Sequence, residues 1–116
     1  MGPHRVNIIN VLQLIASSSD QLEYQSKAPV NVAFEVANQW FDDFYHPGSQ
    51  QFEAEFSAAE LSLLAEFHRL YDERVALLPD TLPELLASHA WSEVMSSANR
   101  VLVECGWKDL TVAYER

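Results

Sequence analysis

The chain has 116 residues, of which 48% are hydrophobic, and this combination is typical of one folded domain and excludes intrinsic disorder. The single cysteine, Cys105, excludes a disulfide framework within the chain and a multi-cysteine metal site. The sequence contains no apolar run of the ~18 residues that cross a membrane, and its N-terminal apolar patch is a poor signal peptide. We therefore expect one cytoplasmic domain, residues 1–116.

Charge is distributed unevenly along the chain. Seventeen acidic residues against seven basic ones give a net charge of −10, and residues 28–68 contain seven of the acids and no Lys or Arg. A surface of this kind repels nucleic acid and anionic membranes, and it attracts basic proteins. The alternative is that the acidity serves solubility alone.

The N-terminal half predicts two helices and a loop. Residues 6–25 have apolar side chains at three- and four-residue spacing, and a serine run before Asp20 offers a point where this helix divides, with a serine as the new N-cap. Residues 31–45 predict a second helix after Pro29, and residues 49–56 predict a loop or a frayed extension. The aromatic side of the second helix contains Phe34, Ala37, Trp40, Phe41, Phe44 and Tyr45.

Residues 57–78 have the clearest helix signals in the chain. Ser57 and Glu60 have the spacing of a capping box, in which each side chain binds the other residue's backbone amide, and Pro79 ends the segment. The apolar arc of this segment is wide, which predicts a central helix packed on more than one side.

The C-terminal part predicts a short helix at residues 81–86 and a longer one from Ser88 to about Glu104, ended by Gly106. The tail, residues 107–116, has alternating apolar residues such as Tyr114. No second strand pattern is available to pair with it, so an irregular arm is favoured. The sequence therefore predicts an all-α, single-domain bundle of four to five helices with an irregular C-terminal arm.

Asp and His residues at the spacing of one helical turn raise the possibility of a metal–carboxylate site. The residues are Asp42, Asp43, His46, His68 and Asp72. The match is incomplete, because such sites in helical bundles need carboxylates and histidines that face inward, whereas Asp42 and His46 lie opposite the aromatic side. No phosphate-binding loop or nucleophile motif is present. We expect no catalytic residue, no metal and no cofactor.

Acidic and aromatic residues are interleaved between residues 35 and 56, and this segment is the candidate binding surface. Aromatic side chains anchor interfaces by apolar contact, while carboxylates select basic partners. The candidate partner-binding residues are Glu35, Asp42, Asp43, Tyr45, Phe52, Glu53 and Glu55. The alternative is that the rings belong to the core and the acids form its solvated back.

Four short motifs resemble those of a family of bacterial proteins. They are WFDDFY at residues 40–45, FSAAEL at residues 56–61, LLP at residues 77–79 and WSEV at residues 91–94. In these motifs the chain resembles small acidic immunity proteins of polymorphic-toxin and contact-dependent growth inhibition systems. The resemblance implies a cytoplasmic, non-enzymatic protein that binds one cognate toxin domain and blocks it, and it assigns no functional residue.

The leading hypothesis is therefore a toxin-neutralising immunity protein that binds a basic, nuclease-like toxin domain through an acidic-aromatic surface. Two alternatives remain open at this point. One is a helical metal–carboxylate protein that uses the Asp and His residues above, and the other is a regulatory or scaffold module that associates through its aromatic surface. The sequence predicts neither the toxin nor the oligomeric state.

Overall fold

The computed structural model describes residues 1–112, which form helices and no β-strand. The seven α-helices of these residues are α1 (Pro3–Ala16), α2 (Ser18–Lys27), α3 (Val32–Asn38), α4 (Gln50–Glu53), α5 (Ala58–Arg74), α6 (Leu82–Leu86) and α7 (His89–Cys105). A π-helix, Gln39–Phe44, continues α3, and a 3-10 helix, Val75–Leu77, continues α5. The all-α prediction is confirmed, and the expected number of four to five helices is wrong.

The two additional helices begin at serine N-caps. The Ser17 hydroxyl accepts a hydrogen bond from the backbone N–H of Asp20 and begins α2, so the first predicted helix divides at the serine run. The Ser49 hydroxyl accepts one from the backbone N–H of Phe52 and begins α4, inside the segment predicted as a loop. A serine cap satisfies an amide that the first turn leaves free, which stabilises a helix of only a few residues.

The central helix of the bundle is α1, which packs along α7. It buries six apolar side chains and carries Arg5 as its one Lys or Arg residue. The sequence predicted α5 for this place. The structure instead packs α5 between α7 and the π-helix through one fully buried stripe of Leu64, Phe67 and Tyr71. The wide apolar arc that continues into the 3-10 helix is only partly covered, and Leu77 is exposed.

The π-helix changes which aromatic residues face the core. The bond from the backbone N–H of Tyr45 to the Trp40 carbonyl spans five residues, one more than in an α-helix. The two rings consequently lie on the same side and stack, with 4.7 Å between their centroids. Upstream, α3 faces the core with Val32 and Val36, so Phe34, which was predicted on the inner side, is 53% exposed.

The fully buried side chain of Gln21 joins α1, α2 and α7. Its Nε2 atom donates hydrogen bonds to the carbonyl oxygens of Leu14 and Ile15, both at 2.9 Å. Its Oε1 atom accepts one from Trp91 Nε1 at 3.2 Å. The Leu14 carbonyl also accepts from the backbone N–H of Ser17, so the amide adds a second donor there, supplies one for Ile15 at the end of α1, and fixes the position of a core tryptophan.

The chain leaves α7 at Gly106, which adopts the left-handed conformation with φ 74°, as the sequence predicted. The following residue, Trp107, is buried, and Gln13 Nε2 donates to the carbonyl oxygens of Trp107 at 2.9 Å and Leu110 at 2.7 Å. These bonds hold the start of the C-terminal segment against α1. Residues 107–112 form neither helix nor strand. The rest of the predicted arm, including Tyr114, lies outside the described residues.

The longest helices, α5 and α7, have 17 residues each and carry charged side chains at several positions. Among the residues that the structure describes, no helix has the length and apolar character needed to span a membrane.

Candidate partner-binding surface

Four of the predicted binding residues form an acidic series along α3, the π-helix and α4, which we call the acidic surface: Glu35, Asp42, Asp43 and Glu53. Asp42 and Asp43 are exposed neighbours in the π-helix. Glu35 is half-buried in α3, where its Oε1 atom accepts a hydrogen bond from Gln39 Nε2 at 3.3 Å. Three of the four carboxylates therefore project from one continuous helical segment, which fixes their spacing.

The turn after the π-helix brings the fourth carboxylate to the same end of this segment. Gly48, with φ 91°, allows the chain to reverse, and its N–H donates to Glu53 Oε2 at 2.8 Å. His46 Nε2 lies 2.7 Å from the Asp43 carbonyl oxygen. The His46 ring also meets the edge of the Phe52 ring, with 6.3 Å between centroids. These contacts fold α4 back beside the end of the π-helix.

Lys and Arg side chains of the described residues do not pair with the carboxylates of the acidic surface. Within the described residues, none of its carboxylates lies within 4 Å of a Lys or Arg nitrogen. Arginines elsewhere are paired with other acids: Arg5 with Glu60, Arg74 with Glu93 and Arg100 with Glu104. Negative charge is therefore left uncompensated along α3, the π-helix and α4.

Glu55, also predicted to bind a partner, has a different environment. It is half-buried, and its Oε1 atom accepts a hydrogen bond at 2.9 Å from the backbone N–H of Arg5 in the first turn of α1. Its Oε2 atom lies 4.0 Å from His4 Nε2. A carboxylate at this place satisfies a free amide and meets the positive end of the helix dipole. Glu55 therefore fastens α1 to the segment after α4 and lies outside the acidic surface.

Arg5 also binds Glu60, through Nη1 at 2.9 Å and Nη2 at 2.8 Å. This hydrogen bonding is the main reason why the pKa of Glu60 is lowered and the pKa of Arg5 is raised. The guanidinium carbon lies 5.7 Å from the centroid of the Phe56 ring and 5.1 Å from that of Trp107. Glu60 forms the predicted capping box with Ser57 as well. The sequence predicted the capping role of Glu60 but not its pairing with Arg5, because a sequence does not show how close α1 and α5 lie.

The two aromatic residues predicted as anchors lie in the core. Phe52 is fully buried, and Tyr45 is 7% exposed and stacked on Trp40. Burial is the main reason why the pKa of the Tyr45 hydroxyl is raised. The wider turn of the π-helix directs Tyr45 inward, and α4 buries Phe52. This placement corrects the expectation of exposed rings: Tyr45 and Phe52 belong to the core, and the exposed groups of this region are the carboxylates.

The side chains of the metal hypothesis do not come together. In the described part of the chain, no three or more His, Cys, Asp or Glu side chains form a group that could hold a metal ion. His68 Nδ1 instead accepts a hydrogen bond from Trp40 Nε1 at 3.2 Å, and His46 is held by the Asp43 carbonyl.

Burial raises the pKa of the Cys105 thiol to about 11, so the thiol is protonated at neutral pH.

Helical periodicity did not predict a set of exposed apolar side chains: Leu22, Phe34, Val75, Leu77, Val103 and Leu110. Phe34 was assigned to the inner side of its helix because it shares a side with other aromatic residues. The competing stripe of Val32, Val36 and Trp40, at four-residue spacing, was the signal that a different side faces the core. An exposed phenylalanine next to Glu35 adds an apolar group beside the acidic surface.

The chain matches no protein-family model, no curated protein and no solved structure. Its function is therefore inferred from the geometry and charge of the described residues.

Proposed function

We propose that this chain is a non-enzymatic, cytoplasmic binding protein of the immunity type, which neutralises a toxin by binding its basic, nuclease-like domain. The contact residues of this proposal are Glu35, Asp42, Asp43 and Glu53. One observation supports it above the others: no Lys or Arg side chain among the described residues pairs with these carboxylates, whereas arginines elsewhere are paired with acids. A basic partner supplies the missing counter-charge.

Carboxylates on a folded surface bind the same groups that a nuclease uses to hold phosphate. Arg and Lys side chains form short, charge-assisted hydrogen bonds with either anion. Asp42 and Asp43 project from the π-helix above the stacked rings of Trp40 and Tyr45. A surface supported by a packed core loses little conformational freedom when a partner binds, so more of the interaction energy contributes to affinity.

The net charge of −10 also attracts a basic protein before the two molecules touch. Attraction between oppositely charged surfaces guides diffusing proteins into productive encounters and raises their association rate. Fast association matters for an inhibitor, because the toxin damages its target until it is bound.

The test is to mix the chain with the toxin domain encoded by the neighbouring gene and to measure both binding and toxin activity. We expect a complex that weakens as salt rises, together with loss of toxicity when the two proteins are co-expressed. Asp42→Lys should weaken the complex. The matched control is Asp109→Lys, because Asp109 is likewise exposed and without a Lys or Arg partner in the described residues. Absence of a complex, or equal effects of the two substitutions, contradicts the proposal.

A further inference from the structure

Two segments of the chain run antiparallel and form a seam on the surface. At one end, the rings of Phe41 and Tyr71 lie 4.8 Å apart between centroids. At the other end, Asn31 Nδ2 donates a hydrogen bond to the Asp80 carbonyl oxygen at 2.7 Å. Residues 31–41 of α3 and the π-helix therefore lie beside residues 71–80 of α5, the 3-10 helix and the turn that follows.

Three exposed apolar side chains lie between these two contacts, and we call them the seam patch: Phe34, Val75 and Leu77. Phe34 is 53% exposed, Val75 is 37% exposed and Leu77 is 68% exposed. Half of the six large exposed apolar side chains of the described residues therefore occur along this one seam. Exposed apolar groups concentrated in one region of a surface are typical of interaction sites.

The seam patch is bordered by negative charge. Asp42 and Asp80 are exposed at the two ends of the seam. Asp72 is exposed between them, four residues after His68 on α5, and His68 binds Trp40 of the π-helix. Residues four apart share a side of a helix, so Asp72 lies on the side of α5 that borders the seam.

The arginines of α5 do not compensate these acids. Arg74 Nη2 donates to Glu93 Oε2 of α7 at 3.0 Å, and Arg69 lines the cleft between α5 and α7 together with Arg100. The other side of the seam comes from residues 28–68, which contain no Lys or Arg. The seam therefore combines apolar side chains with uncompensated carboxylates.

We infer that the seam patch docks an amphipathic basic segment of the partner protein. Apolar side chains of that segment contact Phe34 and Leu77, and its Lys and Arg side chains bind Asp42, Asp72 and Asp80. This inference rests on the proposed function and adds to it the apolar half of the interface and the chemistry of the bound segment.

Charge argues against the other possible occupants. A second copy of this chain would bring the same carboxylates into opposition, which is unfavourable. An anionic membrane repels them as well. A basic protein segment is the occupant whose charge complements the border of the patch.

The probe is a synthetic peptide of about 14 residues, composed of Leu and Lys at helical spacing, with a scrambled peptide of the same composition as control. Binding is followed by NMR titration of the backbone amides of the full chain.

The test variant is Phe34→Ser with Leu77→Ser. The matched control is Leu22→Ser with Val103→Ser, since Leu22 is 53% exposed and Val103 is 55% exposed on other helices. Thermal unfolding establishes that each variant folds, and Leu77→Lys alone replaces the test variant if it does not.

We expect shifts confined to residues 31–42 and 71–80, binding about tenfold weaker in the test variant, and no change in the control variant. Shifts centred on the groove at Leu22 and Met95, equal binding of the scrambled peptide, or an unchanged affinity in the test variant would each overturn the inference. Two further results would overturn the inference. One is that the chain forms a dimer in sedimentation and the test variant does not. The other is that the chain binds phosphatidylserine vesicles and the test variant does not.

The toxin complex distinguishes failure of this inference from failure of the proposed function. A complex that is weakened by Asp42→Lys and unaffected by the Phe34 and Leu77 substitutions overturns the inference alone. Specific peptide binding without any toxin complex overturns the immunity function.

Discussion

The Arg5 guanidinium donates two hydrogen bonds to the Glu60 carboxylate across 55 residues of sequence, and it donates a third to the Glu55 carbonyl oxygen. These contacts join the first turn of α1 to the first turn of α5 and to the segment that follows α4. Both members of the Arg5–Glu60 pair are part-buried, with side-chain exposures of 26% and 16%. One arginine therefore joins the central helix α1 to α5 and to the segment that follows α4.

Arg5→Ala should lower the free energy of unfolding by about 2 kcal/mol, because it leaves the Glu55 carbonyl oxygen and Glu60 Oε2, both part-buried, without their donor. Arg100→Ala is the matched control: its partner Glu104 is one helical turn away and both side chains are largely exposed. The control should cost less than about 0.5 kcal/mol. Urea denaturation measures both values, and equal losses would mean that the Arg5 contacts contribute no more than a surface pair.

Acidification should remove part of the stability through Glu60. Its pKa in the folded chain is lowered from the ordinary value of 4.5, mainly by the hydrogen bond from Arg5. The unfolded state therefore binds the proton more readily, so the contribution is complete above pH 4.5 and is lost as the pH falls below it. Unfolding free energies between pH 7 and pH 3 should fall less steeply in Glu60→Gln, and also in Arg5→Ala. If the unfolding free energy of both variants fell with pH as steeply as that of the unmodified chain, Glu60 would not be the source of the pH dependence.

Gln21→Leu should destabilise the chain by about 2 kcal/mol despite the apolar surroundings, because Trp91 Nε1 and the Ile15 carbonyl oxygen lose their partner and the Leu14 carbonyl keeps only the Ser17 N–H. Gln51→Leu serves as control on the exposed surface of α4 and should change stability by less than about 0.5 kcal/mol. Denaturation curves give both values. A neutral or stabilising Gln21→Leu would show that water or a local shift satisfies these groups.

The two phenylalanines of the candidate surface should behave in opposite ways. Phe52→Ala creates a cavity in the core and should cost about 3–5 kcal/mol, whereas Phe34→Ala, at an exposed site, should cost less than about 1 kcal/mol. Equal losses by thermal or chemical unfolding would contradict the assignment of Phe52 to the core and Phe34 to the surface.

Local signals in the sequence predicted most of the helix boundaries. The capping box of Ser57 and Glu60, the serine cap of α7 and the left-handed Gly106 each depend on residues a few positions apart, which a sequence displays directly. The division of the first helix at Ser17 was signalled in the same way.

Features that depend on tertiary contacts were not predicted. The π-helix adds a residue to one turn, so a periodicity of 100° per residue placed Phe34 and Tyr45 on one side of a single helix, whereas the structure exposes Phe34 and buries Tyr45. The binding of Glu55 to α1 requires the distance between segments 50 residues apart. The sequence placed Asp42 correctly on the outside, because it lies opposite the aromatic side of its helix, but it did not predict that Glu55 is bound within the fold.

The association rate of the chain with its proposed partner, a toxin domain encoded by the neighbouring gene, tests the central claim most directly. Stopped-flow measurements at low and high salt compare the unmodified chain with Asp42→Lys and with the matched Asp109→Lys. If the acidic surface steers a basic partner, Asp42→Lys should associate about fivefold more slowly at low salt, the control should change little, and high salt should remove the difference. Identical rates for the two variants at low salt would contradict the account.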